Sequence, residues 1–512
     1  MEKDDVLIIG GGLGGLFAGA MLAREGVKVT VLEKNATCGG GLQSFKRFGQ
    51  TFDTGMHVIG GMREGDNIRR ICDWLGITDR IHIKDIDDSF TDELHFAQDG
   101  RVYRMASGRK GYVDALAEEF PSQRENLERY VDAMFAVVEE LDLFYLRSSS
   151  KSPLMHCEDF LMSVNDFIAK YIDDEKLRLV LAAINPFYGG RKNMTPAFIH
   201  CLISVLYING TSRFAGGSQL FADTLKDFIN ENGGEVILGD GAEKIFTSDR
   251  LITGVRSHSG RMFSAKWYIS DIHPCTLFSL LDDPSALPRA YRNRLDELPN
   301  TYSVFTLNIA LKPGMFRYIN HSCYFMSRYD DIWEFDNPDA GWPLGFLYMT
   351  PPNLEQGEFA TKMTVTAPML WENVRRWEDS TRGHRPAEYV QWKKDCAEKL
   401  LDCMETIYPD FRSCIGDMDI SSPLSIRDWY GVKEGSMCGF AKDCNNITAS
   451  QVPVVTKVRN LLLTGQNCNV HGFCGVPLTS INTCDVILGR DKIIDDIHNF
   501  ENGKTSGKGE GE

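Results

Sequence analysis

The feature that most constrains this chain is a glycine pattern that directly follows a short apolar run near the N-terminus. Residues 6–9 are aliphatic and predict a strand buried on both faces, and residues 16–24 are rich in alanine and leucine and predict a helix. Gly10, Gly12 and Gly15 lie between them with G-x-G-x-x-G spacing. The spacing alone is weak evidence, but the strand–turn–helix context is typical of a dinucleotide-binding unit. We therefore predict a ligand-binding turn rather than a glycine-rich turn without a ligand.

Each glycine of this turn has its own physical role in holding a pyrophosphate. Gly10 permits the tight turn, Gly12 lets the backbone approach the phosphates at the helix N-terminus, and Gly15 lets the helix lie close to the strand. A second predicted strand, residues 27–32, ends at Glu33, which lies 23 residues after Gly10. A carboxylate at this place accepts hydrogen bonds from both hydroxyls of an adenosine ribose and disfavours a 2′-phosphate.

Two further segments favour FAD over NAD, although both dinucleotides suit the N-terminal unit. A glycine turn at 39–41 lets the main chain pass beside the pyrophosphate of an extended dinucleotide. Residues 461–464 predict a buried strand that delivers Gly465 and Gln466, and a helix is predicted from about Gly475. The N-terminus of that helix would stabilise the negative charge of a reduced flavin. The cofactor-binding residues predicted from these segments are Gly10, Gly12, Leu13, Gly14, Gly15, Glu33, Lys34, Gly40, Gly41, Leu42, Gly465, Gln466, Gly475 and Val476.

The middle of the sequence contains no second glycine fingerprint after a strand, so a dedicated NAD(P)H domain is not expected. Gly216 and Gly217 precede a predicted helix, but no strand-forming run stands before them. Electrons must therefore be exchanged with a bound substrate, a quinone, oxygen or an external reductant. The sequence does not identify this external donor or acceptor.

The acidic composition excludes one class of partner. The 512 residues carry a formal net charge of −16, whereas binding to nucleic acid needs a basic surface, so no nucleic-acid partner is expected. The fourteen cysteines form no C-x-x-C pair. Even the closest spacing, Cys468, Cys474 and Cys484 with His471, favours free thiols over a metal site. Because the N-terminus has no basic, cleavable segment, these thiols fit a reducing cytoplasm.

Three segments resemble one enzyme family. Residues 52–60 (FDTGMHVIG), 422–430 (SPLSIRDWY) and 434–436 (EGS), together with the N-terminal glycines, are similar to the superfamily of phytoene desaturases, carotenoid isomerases and retinol saturases. They are most similar to the retinol saturase branch, and the resemblance runs over most of the chain. Many relatives carry an arginine where this chain has Gly41 and an acidic residue where it has Gln466. FAD binding is still expected, because a glutamine can hydrogen-bond the ribityl hydroxyls without a charge.

The resemblance implies an α/β chain with an FAD-binding Rossmann-like fold of the glutathione-reductase class and an inserted α+β substrate domain. In such proteins a strand over residues 233–242 touches the adenine, here through the backbone of Ala242. The end of the chain is rich in Gly, Lys, Ser and Glu, which predicts disorder from about residue 501. The predicted FAD-binding domain comprises residues 1–80, 215–290 and 440–490, the substrate domain comprises 81–214 and 291–439, and a C-terminal extension comprises 491–512.

Catalytic candidates are few, because hydride transfer involving a flavin depends mainly on orienting the substrate carbon. His57 and His471, the latter beside the predicted flavin site, are candidate catalytic residues, with a purely structural histidine as the alternative. Tyr188, Trp429 and Tyr430 are candidates for lining an apolar substrate tunnel, with packing in the core as the alternative. No metal-ligating residue is predicted.

The sequence predicts an FAD-dependent oxidoreductase that saturates, desaturates or isomerises carbon–carbon double bonds of a hydrophobic polyene, retinoid or isoprenoid lipid. The motifs indicate only that the chain binds FAD. The family resemblance indicates the substrate class and favours reduction of the double bond. Two alternatives stay open. One is an FAD-dependent oxidase of amines or porphyrinogens, and the other is a lipid-binding protein in which FAD has a structural role.

A substrate of this kind is expected to arrive from a bilayer. The sequence has no run of the ~18–20 apolar residues that a spanning helix needs. The longest apolar run, residues 197–208, is interrupted by His200 and predicts a core helix rather than a membrane dip. We expect a cytoplasmic protein with peripheral membrane contact through an apolar patch.

Overall fold

The structure is a computed structural model that describes residues 4–55, 57–148 and 156–507. Its strands, in chain order, are β1 (Asp4–Ile9), β2 (Val29–Leu32), β3 (Ser44–Arg47), β4 (Gln50–Asp53), β5 (Ile59–Gly60), β6 (Ile83–Asp85), β7 (Asp92–Phe96), β8 (Arg101–Met105), β9 (Thr211–Phe214), β10 (Glu235–Ile237), β11 (Ala242–Ser248), β12 (Leu251–Ser257), β13 (Met262–Phe263), β14 (Ala265–Ser270), β15 (Ser303–Leu311), β16 (Ser322–Met326), β17 (Gly345–Met349), β18 (Lys362–Met369), β19 (Ile415–Ser421) and β20 (Leu461–Leu463). Its α-helices are α1 (Leu13–Arg24), α2 (Asn67–Leu75), α3 (Arg109–Glu119), α4 (Arg124–Glu139), α5 (Val164–Tyr171), α6 (Glu175–Ala182), α7 (Ala197–Ile208), α8 (Gln219–Glu231), α9 (Pro274–Ser279), α10 (Arg289–Glu297), α11 (Ala387–Ile407), α12 (Pro423–Tyr430), α13 (Ile447–Ser450), α14 (Gly472–Leu488) and α15 (Lys492–Gly507).

The glycine turn connects helix α1 to a five-stranded sheet with the order β10-β2-β1-β14-β20. All neighbouring strands in this sheet are parallel. The central strand β1 is apolar because both of its faces are covered, as is usual in parallel sheets. Helix α1 is buried on almost every side, because it packs on the sheet, on α8 and on α14. The predicted α/β, Rossmann-like fold is confirmed.

The five strands of this sheet come from three separate parts of the sequence. Strands β1 and β2 lie near the N-terminus, β10 and β14 lie in the middle, and β20 lies near the C-terminus. These parts fall within the three segments expected to form the FAD-binding domain. The domain boundaries themselves stay a prediction.

A seven-stranded sheet, with the order β19-β15-β18-β17-β16-β7-β8, lies between a hydrophobic core cluster and a large cavity. Its neighbouring strands are antiparallel except for β16 and β7. Phe305, Leu307 and Val365 point to one face and pack in a core cluster that includes side chains of α11. Thr306 and Thr366 point to the other face and line a large cavity. Because side chains of a strand alternate between faces, the sheet forms a wall of the cavity and part of the core at once.

Helix α7 covers the cavity on the side opposite the sheet. Each of its residues other than Tyr207 is buried, and His200 has no exposed surface. The prediction of a core helix over residues 197–208 is therefore confirmed. Among the helices of the described residues, none combines the length and the hydropathy needed to cross a bilayer.

The C-terminal helix α15 differs from the disorder expected from about residue 501, since it continues to Gly507. Arg70 on α2 forms an ion pair with Glu501 at 2.6 Å. The guanidinium of Arg24 lies 6.0 Å from the ring centre of Phe500. These contacts hold the start of the polar tail against the protein. Residues 508–512 lie outside the described residues.

Candidate active site

Glu33 holds one side of the glycine turn. Its Oε2 accepts a hydrogen bond from the backbone N–H of Gly11 at 2.9 Å, and its Oε1 accepts one from that of Asn35 at 2.8 Å. Burial raises the pKa of this carboxyl, while the two backbone hydrogen bonds act in the opposite direction. Glu33 therefore has a fixed orientation where it lines the cavity, which suits the predicted contact with a ribose.

Asp271, which directly follows β14, contacts the glycine turn from the other side. Its carboxyl accepts hydrogen bonds from the backbone of Gly12 and Gly15, and burial raises its pKa to about 7. A Cβ at Gly12 would lie 2.5 Å from Asp271 Oδ2, and a Cβ at Gly14 would lie 2.8 Å from the backbone N of Gly465. The turn therefore has no room for side chains, and a ligand can approach its backbone closely. Because the turn lies at the N-terminus of α1, where negative charge is favoured, it fits a pyrophosphate.

The second glycine turn lies against the first. The backbone N–H of Gly39 donates to the carbonyl of Gly11 at 2.6 Å. Gly40 and Gly41 line the cavity, and Ala242 at the start of β11 lines the same end. Both glycine segments and the strand predicted to touch an adenine thus meet at one end of the cavity.

Strand β20 and helix α14 bring the C-terminal segment to the glycine turn. The hydroxyl of Ser480 on α14 donates to the carbonyl of Gly14 at 3.0 Å. Helix α14 begins at Gly472, three residues before the predicted start. Gln466, Gly475 and Val476 all line the cavity. The N-terminus of α14 is therefore directed at the cavity, where it favours negative charge on a ligand.

A continuous cavity of about 500 Å³ joins the glycine turn to an apolar chamber between α7 and the seven-stranded sheet. Among the described residues that line the cavity, the carboxylates are Glu33 and Asp271, and both lie at the glycine-turn end. The chamber end is lined largely by apolar and aromatic side chains, including those of Phe187, Leu202, Ile203, Leu206, Tyr207, Tyr324, Met326, Phe335 and Leu347. The cavity thus combines a polar end at the glycine turn with an apolar end, as ligand sites commonly do.

His57 and His471 both line this cavity. His57 Nδ1 and His471 Nε2 are buried and have no hydrogen-bond partner in the described part of the chain. Burial lowers the pKa of His471 to about 4 and also lowers the pKa of His57. Both rings are therefore neutral at pH 7, and each has one buried nitrogen that no described residue hydrogen-bonds. The catalytic roles of the two histidines stay predictions.

The three aromatic residues predicted to line a tunnel have different positions. Tyr430 and Trp429 line the cavity, with Trp429 at its edge and 43% exposed. Tyr188 does not line it, and its hydroxyl hydrogen-bonds His200 Nδ1 at 3.1 Å in the core. The neighbouring Phe187 faces the cavity instead, because a turn of 3₁₀-helix directs adjacent side chains in different directions.

Lys34 also borders the cavity and donates to the carbonyl of Asp428 at 3.2 Å. Sequence reasoning missed Asp271, Tyr207 and Tyr324. The position of Asp271 after a buried strand was a usable signal, whereas no motif marks either tyrosine. Of the predicted cofactor residues, those that line the cavity are Gly10, Gly12, Leu13, Gly14, Glu33, Lys34, Gly40, Gly41, Ala242, Gln466, Gly475 and Val476, and those that lie outside its lining are Gly15, Leu42 and Gly465.

Within the part of the chain that the structure describes, one group of metal-ligand types comes together, at Glu93, His321 and Cys323. Glu93 is already paired with His95 at 2.6 Å and with Arg104 at 3.3 Å. The cysteines near His471 do not belong to this group. We therefore interpret the cluster as a network of ion pairs that stabilises the fold, and we assign it no metal.

Comparison with known proteins gives four matches. Residues 8–75 match the family described as an NAD(P)-binding Rossmann-like domain. The chain is 25% identical over 537 residues to all-trans-retinol 13,14-reductase of Danio rerio, covering 96% of this chain and 87% of the relative. It is 22% identical over 484 residues to prolycopene isomerase 2, chloroplastic, of an Oncidium hybrid cultivar, covering 91% and 80%. The structure of putrescine oxidase bound to putrescine is similar in fold only, with a TM-score of 0.62. The two sequences are 14% identical, and the match covers 96% of this chain and 100% of that chain.

The parallel sheet, the glycine turn and the relatives together define an oxidoreductase with a dinucleotide-binding site. Over most of its length the chain is similar to members of the superfamily of phytoene desaturases, carotenoid isomerases and retinol saturases. The resemblance seen in the sequence is thereby confirmed.

Proposed function

We propose that the chain is an FAD-dependent oxidoreductase that acts on carbon–carbon double bonds of a hydrophobic polyene, retinoid or isoprenoid lipid. The observation that carries this proposal is the continuous cavity, which joins the glycine turn to an apolar chamber. A substrate in that chamber lies next to whatever occupies the polar end. The relatives named as a retinol reductase and a prolycopene isomerase support the substrate class.

The residues at the polar end suit FAD. The backbone of Gly12 would hold the pyrophosphate, Glu33 the adenosine ribose and Gln466 the ribityl hydroxyls. FAD supplies hydride transfer to or from a substrate carbon when it is bound. The N-terminus of α14, which lines the cavity, would stabilise negative charge on a bound flavin.

The chamber residues orient the substrate and exclude water. The chamber is lined by Ile203 and Leu206 of α7 and by Met326 and Leu347 of the sheet. A chain of conjugated double bonds fits between such surfaces because its burial is favourable by about 25 cal/mol per Å² of apolar area. His57 and His471 supply neutral hydrogen-bonding groups near the polar end. We favour reduction of the double bond, since the Danio rerio relative is named a reductase.

Mass spectrometry of the FAD-loaded protein incubated with all-trans-retinol and with prolycopene tests the proposal. Each probe is incubated first anaerobically with dithionite and then in air. A product ~2 mass units heavier means saturation, a product ~2 lighter means desaturation, and an unchanged mass with altered retention means isomerisation. The control is Gly12→Val, which is expected to lack FAD. Unchanged probes under both conditions would overturn the proposal.

The amine or porphyrinogen oxidase remains the competing enzyme. Among the described residues, the lining of the apolar chamber contains no carboxylate to pair with a substrate ammonium group, which disfavours a diamine. Production of hydrogen peroxide with putrescine or a porphyrinogen, without any change of the polyenes, would favour the oxidase. A flavin that no lipid reduces or reoxidises would instead favour a lipid-binding protein with structural FAD.

The proposal includes a cytoplasmic location. It also includes peripheral membrane contact, because such lipids are almost insoluble in water. Phe48, in the turn between β3 and β4, is 44% exposed and follows the exposed Lys46 and Arg47. Leu354 is 60% exposed. These side chains suit an anionic lipid surface. Sedimentation with phosphatidylserine vesicles is the test, with Phe48→Ser expected to weaken binding, and a protein that stays in the supernatant would contradict the contact.

A further inference from the structure

Tyr324 and Asp92 form a buried pair in the wall of the chamber. The hydroxyl of Tyr324 donates to Asp92 Oδ1 at 3.1 Å. Strands β16 and β7 are parallel, and their register pairs Ser322 with Asp92. Because Tyr324 lies two residues after Ser322, its side chain and that of Asp92 project from the same face of the sheet. Tyr324 lines the cavity, whereas Asp92 lies behind it and does not.

Asp92 is a buried acid that keeps its proton to a higher pH than an ordinary aspartate does. Burial raises the pKa of Asp92 to about 6, against the hydrogen bonds of Thr91 and Tyr324 and the charge of Arg213, which lower it. The pKa of Tyr324 is raised well above its ordinary value, again mainly by burial. Tyr324 alone is therefore a weak acid, and a second group that replaces its proton would help it to act as a proton donor. The titratable and charged groups that face Asp92 are Tyr112 on α3, Tyr207 on α7, Arg213 on β9, and Cys323 and Tyr324 on β16.

Reduction of a double bond needs a proton as well as a hydride, and the histidines of the cavity are poorly suited to supply it. Burial lowers the pKa of His471 to about 4 and lowers that of His57 too, so neither ring carries an extra proton at pH 7. Tyr207 and Tyr324 are tyrosines of the chamber wall. Of these two, Tyr324 is hydrogen-bonded to a carboxyl group.

We propose that Tyr324 and Asp92 form a proton relay that protonates the substrate carbon next to the one that receives the hydride. This inference rests on the proposed function in its reductive direction. With Asp92 protonated, its O–H donates to the Tyr324 oxygen, and the Tyr324 O–H is free to point into the chamber. Bound reduced FAD would supply a hydride to one carbon of the π bond, and as that bond breaks the neighbouring carbon would gain the Tyr324 proton. The Asp92 proton passes to the Tyr324 oxygen, and the Asp92 carboxylate is reprotonated from solvent.

Anaerobic single-turnover experiments test the relay with the retinol or prolycopene probe that the wild type saturates. We expect Tyr324→Phe to slow saturation by roughly 100-fold, a typical loss when a general acid is removed. The control is Tyr188→Phe, which also removes a buried tyrosine hydroxyl, but outside the cavity, and should keep the rate within about threefold. FAD content and the rate of flavin reduction by dithionite should be unchanged in both variants. The wild-type rate should fall as the pH rises through the Asp92 pKa, and Asp92→Asn should be slow at every pH.

Infrared difference spectroscopy of the FAD-loaded protein without substrate gives a readout that does not depend on turnover. A carboxylic acid band that titrates near pH 6 should be lost in Asp92→Asn and shifted in Tyr324→Phe, but retained unshifted in Tyr188→Phe. The relay would be overturned if Tyr324→Phe saturated the probe at the wild-type rate, or if only Tyr207→Phe lost activity. Either result would leave the reductive function in place. If the wild type saturates neither probe, the reductive function is overturned and the relay with it.

Discussion

The two ends of the cavity are built from different parts of the protein. The polar end is made mostly of main chain, and a single Cβ added at Gly12 would lie 2.5 Å from Asp271 Oδ2. The apolar end is made of side chains such as Ile203, Tyr324 and Leu347, which come from separate elements. A site made of main chain tolerates few substitutions, because an added side chain has no room beside the backbone. A wall made of side chains can be altered one residue at a time. If the proposed function is correct, the first end determines which cofactor binds and the second end determines which substrate binds.

The largest effect is expected where a side chain is added to the polar end. Gly12→Val should weaken FAD binding by at least ~100-fold, equivalent to about 2.7 kcal/mol, because the new side chain clashes with Asp271. Visible absorbance of the purified protein measures the bound flavin. Gly357→Val is the control, since a Cβ at Gly357 meets nothing within 4 Å. A yellow Gly12→Val protein would contradict the pyrophosphate assignment and, with it, the contrast between the two ends.

A change at the apolar end should spare the cofactor. Ile203→Trp should lower kcat/KM for a long polyene by roughly 10–100-fold, because overpacking of this kind costs about 1–3 kcal/mol. FAD affinity should be unchanged. Steady-state kinetics with retinol and with prolycopene measure the effect. Loss of FAD from Ile203→Trp would show that the two ends are not independent.

Asp271 makes the polar end sensitive to pH in the protein without FAD. Its folded pKa of about 7 lies above the ordinary value of 3.8. The stability that it contributes is therefore complete below the ordinary pKa and is lost as the pH rises through 7. Relative to Asp271→Asn, the wild-type Tm should fall by roughly 2–4 °C between pH 5 and pH 8. Parallel Tm curves for the two proteins would show that Asp271 keeps its ordinary pKa.

The smallest effect is expected where the two ends meet. The hydroxyl of Tyr430 donates to Thr54 Oγ1 at 2.8 Å. Tyr430→Phe should lower the free energy of unfolding by about 1 kcal/mol, the usual contribution of one hydrogen bond. Denaturant titration of the FAD-loaded protein measures this change. A loss above about 3 kcal/mol would indicate that Tyr430 also holds the cofactor or an unpaired buried group.

The polar end could be predicted from the sequence because its signals are local. Gly10, Gly12 and Glu33 each stand at a fixed place relative to a buried strand, so their roles follow from one βαβ unit. The C-terminal segment was also predictable, since Gln466 follows an apolar run of strand length. The starts of α1 and α14 were each misplaced by three residues, as is common for helix ends.

The apolar end could not be predicted in the same way. Tyr324 reaches the cavity only because β16 pairs with β7, which lies more than two hundred residues earlier in the chain. Tyr188 and Phe187 differ by one position, yet only Phe187 faces the cavity. Such orientations depend on long-range packing, which a motif does not encode. The helix at the C-terminus was missed for a related reason, because its contact with Arg70 is also long-range.

The alternation along the seven-stranded sheet has an evolutionary consequence. On β15, Val304 and Thr306 face the cavity, while Phe305 and Leu307 pack in the core beside α11. Every second position of such a strand can therefore drift in size and polarity under selection by new substrates, while the intervening positions are held by the demands of folding. A lineage with this architecture can diversify in what it accepts without first acquiring compensating mutations for stability.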